Sequence, residues 1–368
     1  MSNRRLFLIL TALILLSDLL FVGINYYSSQ RALQLSLSRS GNSLKNEYDL
    51  TLSLVYENML QLSTYIAEQK RVQELFLEGK RMVALEGGGA GAERAAEARQ
   101  ALFDYVSPSW LRLMGQYDAR QLHFHLGPGS LSFLRVHKPQ KFGDRMDDIR
   151  HIIVDSYAQQ TTNTGFEVGR VYAGLRGVTP VWSQAESGQK ELIGVLEVGT
   201  SFQTVLDKIT SQTGVEMMVL LRQELVHATM WPESISKEIV KLSSDSSCYV
   251  EAVSEPRVIE IVNNCERFEG YRKQLRTFTL AHEGRQYAVT HFPHYDFKSR
   301  VEGAQQQAGM VVMLTDISDE MAAIRQQLKI NLIFALVGFV VIEVLLYMGI
   351  VFGSVSYTHL RAHETATY

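Results

Sequence analysis

The densest group of chemically capable side chains lies between residues 123 and 150, and it fits either a metal site or an anion site. The group combines histidines with cations: His123, His125, Arg135, His137, Lys138, Lys141 and Arg150. A His-x-His pair on a strand places both imidazoles on one face, about 7 Å apart, which can begin a metal site. A third ligand such as His137, Asp144 or Glu167 would be needed. Alternatively, the two histidines of the strand lie on the surface and bind nothing.

We favour an anion or carboxylate pocket for these residues. A guanidinium offers a fork of donors that matches a planar carboxylate, and a buried arginine without a partner is costly. Aromatic side chains could wall the apolar part of such a ligand. We therefore predict ligand-binding roles for His123, His125, Arg135, His137, Lys141, Tyr172, Arg176 and Trp182. In the competing arrangement Arg170 and Arg176 pair with Glu167 and Glu197. No nucleophile–base arrangement is recognisable, so we expect no catalytic residue and no cofactor.

Alternating apolar and polar residues predict that this group lies on a sheet. Residues 121–126 alternate with a period of two, which places the two histidines opposite the apolar side chains. The pattern predicts further strands at 165–171, 174–182 and 191–198, and a short helix at 147–160. A second set follows, with a helix at 202–213 and strands at 215–221, 225–229, 275–280, 286–292 and 309–314. Pro293 favours a loop or a strand end for the histidine pair His291 and His294.

A long helical pattern precedes the sheet. From residue 25 to about 79 apolar residues recur at spacings of three and four without proline, which predicts one long amphipathic helix. Such a stalk usually pairs with its twin, so we expect a homodimer. The glycine-rich stretch 86–92 predicts a loop, and it lacks the Lys-Ser/Thr of a phosphate-binding loop. A second helix is expected at 93–113.

Two apolar segments, residues 6–24 and 332–353, bracket these elements. Each is long enough to cross about 30 Å of hydrocarbon. No small-residue cleavage site follows the first, so we expect a retained anchor rather than a cleaved signal peptide. Arg4 and Arg5 favour a cytoplasmic start, which places residues 29–329 on the far side of the membrane.

The composition of the chain excludes some functions and suggests one crosslink. Lys and Arg total 36 against 39 Asp and Glu, a net charge of −3. This balance argues against a nucleic-acid binder, which usually has a basic face.

The two cysteines, Cys248 and Cys265, fall in the segment expected outside the cytoplasm. We predict a disulfide between them, with two unpaired thiols as the alternative.

Several motifs together resemble a known sensory family. They are LHFHLGP from Leu122, SFLRVHKP from Ser132, KFGD from Lys141, GFEVGR from Gly165, GLRGVTPV from Gly174 and GVLEVG from Gly194. The sequence is similar to the double Cache sensory domain of bacterial sensor kinases, diguanylate cyclases and chemoreceptors, most clearly over residues 121–202. The resemblance implies a periplasmic domain of two stacked Cache modules, with the membrane-distal one binding the ligand.

We therefore expect an α+β fold with a long N-terminal stalk helix supporting two Cache/PAS-like antiparallel-sheet modules, flanked by two transmembrane helices. The expected boundaries are a transmembrane anchor at 1–28, stalk and second helix at 29–117, a membrane-distal module at 118–202, a membrane-proximal module at 203–329 and a transmembrane helix at 330–355. Residues 356–368 resemble a translated-adapter sequence and are expected to be artefactual.

The function expected is the input half of a receptor in the bacterial inner membrane. A small anionic molecule would bind in the periplasm and bias the second transmembrane helix, and the output would be a kinase, cyclase or chemotaxis domain that this chain does not contain. The alternative is a membrane-anchored metal-binding protein or metalloenzyme that uses His123 and His125.

Overall fold

The computed structural model describes residues 3–184, 188, 190–235, 248–262, 274–303 and 307–365. The chain forms two compact units. One consists of Met1–Ser40, Thr279–Ala288 and Asp316–Tyr368, and the other of Gly41–Phe278 and Val289–Thr315. The second unit contains most of the two sheets and the candidate site.

Three helices begin the chain: α1 (Asn3–Ala67), α2 (Lys70–Leu85) and α3 (Glu93–Tyr117). The single helix predicted from residue 25 to about 79 is therefore interrupted. Gln69 has an extended backbone with ψ of 120°, and no proline or glycine in the sequence marks this position. The predicted loop before α3 is confirmed. There the Glu86 carboxylate accepts hydrogen bonds from the backbone N–H groups of Arg94 and Ala95 at 2.9 and 3.0 Å, which satisfies free donors of the first helical turn.

The first sheet is antiparallel, in the order β2-β1-β5-β4-β3. Its strands are β1 (Gln121–Leu126), β2 (Leu131–Arg135), β3 (Asn163–Val168), β4 (Ala173–Gln184) and β5 (Lys190–Ser201), and α4 (His151–Gln159) lies between β2 and β3. The four strands and the helix predicted here are confirmed, within a few residues at each end. The sequence predicts a loop where β2 lies.

One face of this sheet is covered by the N-terminal helices. Leu122 and Phe124 of β1 are fully buried with Phe76 of α2 and with Leu102 and Trp110 of α3 in one apolar cluster. The alternation in β1 therefore turns its histidines to the opposite face, as the sequence predicts.

The second sheet has the same type of order, β7-β6-β10-β9-β8. Its strands are β6 (Glu216–Arg222), β7 (Cys248–Val253), β8 (Arg276–His282), β9 (Arg285–His294) and β10 (Gly309–Asp316). The accompanying helices are α5 (Phe202–Thr213), α6 (Gln223–Thr229), α7 (Pro232–Ile235), α8 (Arg257–Val262), α9 (Phe297–Val301) and α10 (Ser318–Thr365).

Three expectations for this half of the chain need correction or remain open. Residues 225–229, predicted as a strand, belong to helix α6. A segment of five residues is too short for its apolar and polar pattern to distinguish the helical period from the strand period. Pro293 lies within β9, whose last residue is His294, so of the loop and the strand end expected there the strand end is present. Cys248 begins β7, while Cys265 lies outside the described residues, so the disulfide stays a prediction.

Two helices are long and apolar enough to cross a membrane, over Arg4–Ala67 and Ser318–Phe352. Within their unit, the Thr11 hydroxyl donates a hydrogen bond of 2.9 Å to the Glu343 carboxylate. The predicted class, a long N-terminal helix with two antiparallel sheets and two apolar helices, is confirmed. The exact domain boundaries stay predictions.

Candidate functional site

The paired histidines of β1 are buried rather than exposed. His123 and His125 are 1% and 0% exposed, and their ring centroids lie only 3.7 Å apart. The surface-strand alternative is therefore wrong, because α4 and the turns around it cover this face of the sheet. The strand register places His123 opposite Arg135 of β2 on one side and opposite Glu197 of β5 on the other.

A network of ion pairs centres on Glu197. Its carboxylate forms ion pairs with Arg150 and, at 2.5 Å, with Nε of Arg176. The Nε2 atom of His125 lies 3.1 Å from the same carboxylate. Arg150 also donates from Nε to Glu167 at 3.0 Å. The competing arrangement predicted for Arg176, pairing with Glu197, is thus present.

Burial and charge set the protonation of this network. Burial alone would raise the pKa of Glu197, but Arg150 and Arg176 outweigh it and hold that pKa well below its usual range. Burial lowers the pKa of His123 well below its usual value. It also lowers the pKa of His125, although Glu197 opposes the shift. At neutral pH the carboxylate is therefore charged and both imidazoles are neutral.

A small cavity of about 40 Å³ lies in front of the network. Its wall carries the cationic side chains Arg135, Lys138, Lys141, Arg150, Arg170 and Arg176, together with His123, His137, Gln121, Met146, Tyr172, Trp231 and residues 169 and 171. No carboxylate belongs to this wall among the residues that the structure describes. Glu197 and Glu167 lie behind it.

Most of the residues predicted from the sequence meet at this cavity. His123, Arg135, His137, Lys141, Tyr172 and Arg176 line it. His125 lies one layer deeper, against Glu197. Trp182 is not part of the wall, because it follows Arg176 by six residues along β4, which is about 20 Å of strand. A role for Trp182 in walling the ligand is therefore not supported by its place in the fold.

Arg135 shapes the wall rather than reaching freely into the cavity. Its guanidinium makes a forked pair with Asp144 at 2.7 and 2.8 Å and donates to the Lys141 carbonyl at 2.8 Å. It thereby fixes the loop that carries Lys141. On the opposite wall the Tyr172 hydroxyl donates to Gln121 at 3.0 Å.

Some residues of the wall have no ligand-binding role among the predictions from the sequence. Arg150 belongs to the polar cluster, and its position just before α4 aims it at both carboxylates. Arg170, expected to pair with Glu167 or Glu197, instead lies 3.8 Å from Asp148. Trp231 comes from the segment after α6, and no local pattern connects it with residues so far away.

One metal-ligand set exists among the described residues. Ligand atoms of His123, His125 and Glu197 lie within 4.8 Å of one another, so Glu197 replaces the third ligands considered from the sequence. Two neutral imidazoles and a carboxylate suit a divalent ion such as zinc. However, Arg150 and Arg176 already share this carboxylate, and their two positive charges oppose a further cation.

The comparison with protein families identifies a sensory domain. The family described as "Double sensory domain of two-component sensor kinase" matches residues 27–321. No curated protein matches the sequence.

Similar solved structures come from several bacteria. The periplasmic domain of Vibrio cholerae LuxQ is 11% identical, with 76% of this chain and 99% of that chain covered and a TM-score of 0.37. A domain of a putative sensory box/GGDEF family protein from Vibrio parahaemolyticus is 12% identical, with 80% and 98% covered and a TM-score of 0.36. The ligand-binding domain of Campylobacter jejuni chemoreceptor Tlp3 in complex with L-valine is 12% identical, with 78% and 97% covered and a TM-score of 0.32. Scores of this size add nothing to the family assignment.

Proposed function

The chain belongs to the family of double sensory domains of two-component sensor kinases, and on that premise we propose that it senses a small anion. The anion binds in the cavity beside His123 and Arg176. Its binding changes the packing around the site, and the change reaches the second apolar helix. The output is that of a sensor kinase, a diguanylate cyclase or a chemoreceptor.

The charge of the cavity wall is the observation that carries this proposal. Six cationic side chains line a space of about 40 Å³, and the described part of the wall holds no carboxylate. Acids behind or beside the wall neutralise its four arginines: Glu197 and Glu167 pair with Arg150 and Arg176, Asp144 with Arg135, and Asp148 lies 3.8 Å from Arg170. The two lysines therefore supply most of the free positive charge. Lys138 and Lys141 are exposed near the opening, where positive charge raises the local concentration of anions.

The size of the cavity limits which part of a ligand it encloses. A cavity of about 10–15 Å³ already holds one water molecule, so a cavity of about 40 Å³ accepts one carboxylate group or a small inorganic anion. The rest of a larger ligand must lie at the opening. Arg176 faces this space with only part of its guanidinium free, because its Nε pairs with Glu197 and its Nη1 donates to the Glu167 carbonyl at 3.0 Å.

Thermal unfolding of the full chain in lipid nanodiscs tests the proposal. We expect at least one anion among small carboxylates and inorganic phosphate, at constant ionic strength, to raise the melting temperature in a concentration-dependent way. Lys141→Glu should weaken the binding of that anion at least fivefold, because the substitution reverses an exposed charge at the opening without removing a buried partner. Lys208→Glu, an exposed lysine of α5 outside the cavity wall, is the matched control.

Two results would contradict the proposal. One is that no anion shifts the unfolding of the wild-type chain. The other is that Lys141→Glu and Lys208→Glu weaken binding equally, which would indicate a general effect of net charge rather than a site at the cavity.

We also propose the membrane arrangement and assembly that the sequence suggests. Residues 29–329 lie in the periplasm of a bacterial inner-membrane protein, and two chains pair along α1. Leu50, Leu54 and Tyr65 support the pairing, because they are 63%, 52% and 72% exposed on that helix at spacings that suit one face. Sedimentation of the full chain in detergent should give two chains per particle, and a monomer would contradict the pairing.

The metal-binding alternative has less support. The His123, His125 and Glu197 set could hold an ion only if Arg150 or Arg176 released the carboxylate. Stoichiometric zinc or iron in the purified chain, measured by inductively coupled plasma mass spectrometry, would favour it.

A further inference from the structure

One wall of the cavity is a turn between β3 and β4 that the second sheet holds in place. The turn closes on itself through the Gly169 N–H, which donates to the Tyr172 carbonyl at 3.0 Å. Gly169, Arg170 and Tyr172 all line the cavity. At the end of the turn the Ala173 N–H donates to the Glu251 carboxylate on β7 at 3.1 Å.

The segment after α6 holds the same turn by two further hydrogen bonds. The backbone N–H of Trp231 donates to the Arg170 carbonyl at 2.8 Å. In the opposite direction Nη1 of Arg170 donates to the Thr229 carbonyl at 3.3 Å. Met230, between these two residues, is 4% exposed and packed in the apolar core that also contains β6 and β10. The turn is therefore attached to the interior of the second sheet's module.

Trp231 also brings an apolar surface to the cavity. Its side chain is half-buried and belongs to the wall. The Nζ atom of Lys141 lies 5.7 Å from the centroid of its ring, within the range of a cation–π contact. An indole face and a lysine thus meet at the opening of the cavity, while the arginines and histidines lie deeper.

We infer that the cavity is a site shared by the two sheet modules, in which Trp231 selects carboxylates that carry an apolar substituent. The inference rests on the proposed anion binding. The carboxylate occupies the cationic interior, and the substituent lies at the opening against the indole ring. Burying an apolar group on a tryptophan gives affinity that a ligand without the group does not gain.

The shared wall also gives the second module a direct contact with the ligand. A ligand that shifts the turn shifts the hydrogen bonds to Trp231, Thr229 and Glu251 together. The signal therefore needs no path through the covalent connection at α5. Trp231 is a specificity-determining residue, and the turn is the element through which its module responds.

Titration calorimetry on the full chain in nanodiscs, with benzoate and acetate as the two ligands, tests the inference. We expect Trp231→Ala to weaken the binding of benzoate about tenfold and to change the affinity for acetate by less than twofold. Trp231→Phe should keep part of the preference for benzoate, since it retains an aromatic surface. Trp182→Ala is the matched control, because Trp182 is also half-buried but lies outside the wall.

The outcomes separate this inference from the proposed function. If Trp231→Ala and Trp231→Phe leave the ratio of benzoate to acetate affinity unchanged while Lys141→Glu weakens both ligands, anion binding stands and the role of Trp231 is wrong. The selective role of Trp231 would also be overturned if Trp182→Ala lowered the ratio of benzoate to acetate affinity as much as Trp231→Ala does. If neither ligand binds the wild-type chain, the anion site fails and the inference fails with it.

Discussion

His294 shows how the fold changes the chemistry of a single residue. It lies at the end of β9, and its ring is packed against three aromatic rings with centroids 5.1, 5.2 and 6.0 Å away, those of Phe166, Phe202 and Tyr48. Burial lowers the pKa of His294 to about 4, and the positive charges of Arg300 and Lys45 act in the same direction. Among the described residues, Arg300 and Lys45 are the charged groups that act on it, and the ring of the ionisable Tyr48 packs against it.

This histidine should make the protein less stable in mild acid. An unfolded histidine has a pKa of about 6.5, so between pH 6.5 and about 4 the unfolded chain binds more protons than the folded chain. Stability therefore falls as the pH falls through this window and is unaffected above it. We expect His294→Phe, which fits the aromatic surroundings, to reduce the loss of melting temperature between pH 6.5 and 4.5.

The control for this prediction is His227→Gln, because His227 is exposed on α6. It should follow the wild-type pH dependence. Equal slopes for the wild type and His294→Phe would mean that other groups cause any acid sensitivity.

A contact between two elements explains one glycine of the first sheet. A glycine inside a strand often marks the close approach of a ligand or of another backbone. At Gly177 of β4 the approaching group is α1, since a Cβ atom there would overlap the backbone of Leu60. Nearby, the Ser63 hydroxyl of α1 lies 2.7 Å from that of Thr179 on β4. The long helix thus packs directly on the sheet.

Gly177→Ala should therefore destabilise the protein, by about 1–3 kcal/mol, because it overpacks a helix–strand contact that only backbone movement can relieve. Gly199→Ala is the matched control on the neighbouring strand. A Cβ atom there would meet its nearest neighbour, the Leu175 carbonyl oxygen, at 3.4 Å, which is ordinary contact. Urea unfolding of both variants checks the difference, and equal stabilities would show that α1 moves away from β4 at little cost.

The elements also show what the sequence could and could not predict. Clear periodicity identified α3, α4, α5 and the long strands. β2 was missed because its residues, LSFLR, carry apolar groups on both faces and lie between turn-forming segments. The interruption of α1 at Gln69 has no local signal. Beyond it, the Phe76 ring of α2 packs in the core against that of Phe124, with 5.3 Å between the centroids.

The whole molecule determines the candidate site, because the site joins residues that are distant in sequence. The sequence identified the histidines, Arg135 and Arg176, whose types alone suggest anion binding. It offered Glu197 as a partner of Arg176 but not of His125, since His125 and Glu197 are 72 residues apart and meet only through the pairing of β1 with β5. Trp231 joins the site across the boundary between the two sheets, which no pattern within either half predicts.

A comparison of two nearly identical ligands shows whether the cavity selects negative charge. The carboxylate that binds best in the thermal screen is titrated into the full chain beside its uncharged primary amide, which has the same shape. We predict that the carboxylate binds at least tenfold more tightly and that its affinity falls with added salt. Equal affinities for the carboxylate and the amide, independent of salt, would mean that the cavity does not select negative charge.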